Sequence, residues 1–70
     1  MRNNEKDAKL MEIRRVEFLE TGFRLFSEKT IESVTLPQIA EAAGYGAATL
    51  YRYYDKKHGF VVAVAAWEWD

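Results

Sequence analysis

Apolar positions along the chain recur at helical rather than strand spacing, and they divide it into four segments. From Leu10 to Glu28 a stripe of Phe18, Gly22, Leu25 and Phe26 falls at i, i+4, i+7 and i+8, widened by Leu19 and Phe23. Arg14, Glu17, Glu20, Arg24 and Glu28 take the flanks and outer face, so this is one long amphipathic helix. Gly22 inside it costs about 1 kcal/mol against alanine, which predicts a closely packed neighbour at that point. Lys29 to Val34 is a short connection whose apolar anchors are Ile31 and Val34.

The stretch from Thr35 to Tyr54 carries the strongest pattern. Thr35 suits a helix N-cap, and Pro37 falls in the first turn, where its missing N–H is harmless. Ile39, Ala40 and Ala43 then share a face. Gly44 suits the left-handed position that ends a helix, and Gly46 follows closely. Beyond the turn, Ala47, Leu50, Tyr51 and Tyr54 repeat at i, i+3, i+4 and i+7, a second helical stripe. Two short helices on so tight a turn predict a helix-turn-helix, whose second helix, about Ala47 to Tyr53, can enter a DNA major groove.

Tyr53 to Gly59 reads as a polar link, and Phe60 to Trp69 as a last apolar segment. Val61, Val62 and Val64 are β-branched and would suit a short strand, but Ala63, Ala65, Ala66 and the length favour a helix. Being apolar nearly all round, it is expected to be buried on more than one side. That implies an interface or the front piece of a longer protein, with Trp67 and Trp69 packing on a further domain or a second chain. At the other end, residues 1–9 are polar and read as a flexible arm; Arg2, Lys6 and Lys9 would suit a DNA minor groove, but Glu5 and Asp7 dilute that reading. The resulting division is an arm over 1–9, a helix-turn-helix domain over 10–59 and the start of a linker helix over 60–70.

Composition narrows the chemistry. Seventy residues make one small all-α domain, a three-helix, homeodomain-like bundle with the start of a fourth helix. A domain of that size buries only about 60% of the surface its unfolded chain exposes. Cysteine is absent, which excludes disulfides and thiolate metal sites, and the single histidine, His58, cannot build a zinc site alone. No cofactor is expected. No apolar run approaches the roughly 18 residues of a membrane span, and the first residues lack a signal-peptide core, so a cytoplasmic, nucleoid-associated protein is expected. Ser27, Asp55 and His58 are the available catalytic types, without a nucleophile elbow, phosphate loop or metal spacing around them, so no enzymatic activity is expected. The net charge of −1 does not by itself announce a nucleic-acid binder. Its distribution matters more: Arg52, Lys56 and Lys57 stand against Asp55 beside the second short helix, while most acids lie elsewhere.

With these residues in place, the chain resembles the N-terminal DNA-binding domain of the TetR family of transcriptional regulators over about residues 14 to 67. The resemblance rests on Leu25-Phe26, Ile39-Ala40, Ala43-Gly44, Thr49-Leu50-Tyr51-Arg52-Tyr53-Tyr54 and Lys57 at their spacings. It departs from the family pattern at Gly46, in place of a small polar cap, at Thr30, Gly22 and His58-Gly59, and in lacking the large C-terminal domain. The resemblance implies sequence-specific binding of double-stranded DNA, repression in particular, by a homodimer on a palindromic operator. Dimerisation, and any small-molecule effector, would belong to the C-terminal region. It places DNA contacts at Thr35, Leu36, Pro37 and Gln38, at Gly46, Ala47, Ala48 and Thr49, and at Tyr51, Arg52, Tyr53 and Lys57. Of these, Arg52 can read guanine or hold a phosphate, and Gln38 could reach adenine. Tyr51, Tyr53 and Lys57 would meet phosphates, whereas Tyr54 suits a core aromatic with a wet tip. The rival reading is a small helical protein-interaction module that docks through Phe60 to Trp69.

Overall fold

The computed structural model describes the backbone of residues 4–69 and the side chains of 5–68. Helix α1 (Asn4–Glu28) is followed by a 3₁₀ turn (Ile31–Ser33), α2 (Leu36–Ala43), α3 (Ala47–Tyr51) and α4 (Lys57–Trp69), with no strand among the described residues. Helix α1 is the spine: α2 and α4 pack on it, and α3 packs on α2.

The core forms where the stripes meet. Phe18 and Leu19 of α1, Val34, Leu36, Ile39 and Ala40 around α2, Leu50 of α3, and Phe60 and Val64 of α4 make one buried cluster. Burying each larger side chain here stabilises the fold by about 1.5–3 kcal/mol relative to exposure. Gly22 has the close neighbour its cost implied. A Cβ at that position would lie 2.5 and 2.6 Å from Phe60 ring carbons and 3.3 Å from a Val64 methyl. The missing side chain lets α4 settle onto α1.

Two boundaries differ from the sequence reading. First, α1 begins at Asn4, so residues 4–9 belong to a helix rather than to a flexible arm. Extending an existing helix is far easier than nucleating one, and Glu5 and Asp7 in the first turn oppose its positive end. Arg2 lies outside the described residues. Second, α4 opens at Lys57, taking His58 and Gly59 out of the polar link. Both are exposed, and the Phe60 N–H reaches the Lys56 carbonyl at 3.2 Å, so the turn closes without requiring burial of either. Helix α4 is covered on one side among the described residues: Phe60 and Val64 are buried while Val62, Ala65 and Ala66 are exposed. These residues do not supply the second covering that its all-round apolarity leads one to expect. Trp67 is half-buried, with its ring edge-on to Phe23 at 6.5 Å. The Trp69 side chain lies outside the described residues.

Candidate nucleic-acid interface

The candidate interface rests on the two caps of α2. At its start, the Thr35 hydroxyl accepts the Gln38 N–H at 3.3 Å, and the Gln38 side-chain oxygen accepts the Thr35 N–H at 3.0 Å. This reciprocal capping box satisfies two otherwise orphaned donors. It also occupies Gln38, expected as a base-reading side chain, with holding the helix end. The Thr35-x-x-Gln38 spacing is the sequence signal that identifies it.

At its end, Gly44 adopts φ +91°, in the left-handed region that side chains disfavour. Gly44 N–H reaches the Glu41 carbonyl at 3.0 Å and Tyr45 N–H reaches the Ala40 carbonyl at 2.8 Å, a Schellman arrangement. The chain thereby reverses within Gly44-Tyr45-Gly46. Gly46 then caps α3 in an extended conformation, with no side chain to bond the exposed amides.

Helix α3 is held from beneath by Leu50, which is fully buried. Of the residues expected to meet DNA here, Gly46, Ala48, Tyr51 and Arg52 are exposed, and Ala47 and Thr49 half-buried. Tyr51, part of the apolar stripe in the sequence, is 44% exposed. The inward place in that stripe goes to Tyr53, whose ring lies 5.6 Å edge-on from Phe18, and to Tyr54, 5.3 Å from Phe60. The regular helix stops at Tyr51, with Arg52 as its cap, two residues short of the expected end. The Tyr53 and Tyr54 N–H groups both turn back to the Leu50 carbonyl.

Thr35, Pro37 and Gln38 are exposed, but Leu36 is not. Leu36 is only 5% exposed and belongs to the core, so its side chain is excluded as a DNA contact and its backbone N–H is what the helix end can offer. Lys57 is half-buried, its ammonium 3.4 Å from the Glu32 carbonyl, where it ties α4 to the 3₁₀ turn. An ammonium has three donors, so this bond leaves others for a phosphate.

This geometry agrees with what comparison finds. The family described as bacterial regulatory proteins, tetR family, matches residues 18–64, most of the chain and all of the turn unit. The chain belongs to the TetR family. Among curated relatives, an uncharacterized HTH-type transcriptional regulator of Mycobacterium tuberculosis, Rv1255c, is 36% identical over 56 residues, which are 80% of this chain and 28% of that protein. The HTH-type transcriptional repressor KstR2 of Rhodococcus jostii is 38% identical over 48 residues, 69% of this chain and 24% of the repressor. The chain thus spans under a third of the length of either relative. No solved structure matches it significantly. TetR-family proteins are helix-turn-helix regulators of transcription that bind DNA and are not enzymes, and the all-helical fold fits that membership. Among the described residues, no helix is long and apolar enough to cross a membrane.

Proposed function

We propose that this TetR-family domain binds double-stranded DNA sequence-specifically and represses transcription, as one half of a homodimer on a palindromic operator. The observation that carries the reading is the presentation of α3. A rigid left-handed turn delivers a helix whose exposed N-terminal residues, Gly46 and Ala48, are small enough for close approach to a major groove. Thr49 and Arg52 follow as the polar side chains near the bases, and the Arg52 guanidinium suits guanine or phosphate. The α2 N-terminus, with Thr35, Pro37 and Gln38 exposed around it, faces a backbone phosphate. Tyr51, Tyr53 and Lys57 hold further phosphates, Tyr53 through its hydroxyl because its ring is packed on Phe18.

So few polar base contacts leave specificity to DNA shape and to two half-sites about one helical turn apart. Pairing half-sites takes a dimer, and we place dimerisation and any small-molecule effector site in a region outside these residues, in keeping with the greater length of the relatives. A cytoplasmic, nucleoid-associated location follows from the same reading.

Titration of the chain with a mixed-sequence duplex, followed by amide chemical shifts at low and moderate salt, tests the proposal. Shifts at Thr35 to Gln38, Ala47 to Tyr53 and Lys57 that fade steeply as salt rises are expected, since each phosphate contact adds about one to the salt slope. A folded chain with no shifts there would overturn the DNA reading and favour a protein partner docked on α4.

A further inference from the structure

The turn that aims α3 has a single side chain, Tyr45, between two glycines that supply no anchor of their own. A Cβ at either Gly44 or Gly46 would meet nothing within 4 Å. Tyr45 reaches in the opposite direction from the reading surface. Its ring lies 5.1 Å from Phe18, tilted by 58°, and its hydroxyl donates to the Glu17 carboxylate one helical residue away. The Arg14 guanidinium covers the same ring, 5.8 Å from its centroid. Phe18 therefore sits between two tyrosines, Tyr45 before α3 and Tyr53 after it. Direct packing between α3 and α1 is slight by comparison with that between α3 and α2. The two aromatic contacts are thus what ties both ends of the reading element to the spine.

We propose that Tyr45 is a positioning residue for DNA recognition: its contacts with Glu17 and Phe18 latch the turn to α1 and set the angle at which α3 meets the groove. This rests on the DNA-binding reading and deepens it. A docking angle matters most for base-edge contacts, which demand close registration, and least for phosphate contacts, which are long-ranged. The latch also gives the Glu17 carboxylate a partner within the protein.

The test uses the whole chain and two probes: a duplex enriched by the wild-type chain from a random library, and a mixed-sequence duplex. Releasing the latch lets the free chain populate other turn angles, and affinity falls with the fraction that stays competent. Tyr45→Phe and Glu17→Ala should therefore each weaken binding of the enriched duplex by about fivefold, the factor one hydrogen bond can supply. Their combination should be no weaker than either alone, and Glu17→Gln, which keeps an acceptor, should recover most of the loss. Binding of the mixed-sequence duplex should stay within about twofold, with an unchanged salt slope. Circular dichroism identifies any variant that fails to fold, and for such a variant the amide shifts of Ala47 to Tyr51 in the Glu17→Gln chain replace its binding data, unchanged positions being expected. Equal weakening on both probes, additive losses, or tighter binding by Glu17→Ala would overturn the latch, the last because Glu17 would then be acting only by repelling phosphate. A wild-type chain that enriches no duplex would instead overturn the DNA-binding reading itself.

Discussion

Single residues in this domain do distinct jobs, and several are exposed to direct test. The Tyr45 phenol is pushed above its ordinary value of 10.0, first by the hydrogen bond to Glu17, then by burial and by the Glu17 charge. Because the folded state favours the protonated form, the stabilisation is complete below the unfolded value and is lost as pH rises through the folded one. A phenolate absorbance titration, taken as the difference between wild type and Tyr45→Phe, should place Tyr45 above 10.0 and should move it down in Glu17→Ala. The Glu12 carboxyl is held below 4.5 by its bond to Arg15, so that pair weakens only as pH falls through the lowered value. Gly22→Ala forces a methyl into the Phe60 ring and should destabilise by about 1–3 kcal/mol in chemical denaturation, the range for overpacking a filled core. A shift within experimental error would mean that α4 sits less closely on α1 than described.

At the scale of elements, α2 is short and depends on its ends. Eight residues are too few for a helix to persist alone, so its capping box and Schellman turn count for more than propensity. Thr35→Ala should lower stability by about 1 kcal/mol, read as a fall in melting temperature, and Gln38→Ala should cost part of the same box. Helix α3 has the opposite character, with an uncapped start at Gly46. Gly46→Ser should raise stability by only a few tenths of a kcal/mol, since glycine is itself an acceptable cap. For recognition, Arg52→Ala should weaken binding equally across sequences and reduce the salt slope by about one if the side chain holds a phosphate, or relax sequence preference if it reads guanine. Competition between the enriched and mixed duplexes distinguishes the two.

At the scale of the whole molecule, one ring joins the spine to both ends of α3. Phe18 is fully buried, belongs to the central cluster and supports both Tyr45 and Tyr53. Phe18→Ala should cost about 3–5 kcal/mol, which a core this small cannot absorb. Loss of the cooperative thermal transition is the expected result. The other whole-molecule feature is the apolar face shared by α1 and α4, where Phe23 and Val62 remain 38% and 54% exposed.

The sequence by itself determined the elements and most of the residues that the turn unit leaves exposed. Helical periodicity needs only neighbours along the chain, so α1, α2, the Gly44 reversal and the start of α3 at Ala47 were legible without a partner in view. The same held for Gly22, because a glycine in a helix interior signals close packing wherever the partner lies. Tertiary structure decided what a side chain in such a stripe faces. Tyr51 and Tyr53 exchange the places that periodicity gave them because α3 ends at Tyr51 and the chain bends back onto Leu50. Leu36 leaves the DNA-facing set because Phe18, Ile39 and Leu50 leave room for it in the core, beside a Thr35 that stays outside. Trp67 finds Phe23, forty-odd residues away, and Tyr45 finds Glu17; no local pattern encodes either pair. Helix geometry is written in spacing over a few residues, but which face meets which is fixed only when distant elements compete for the same small core.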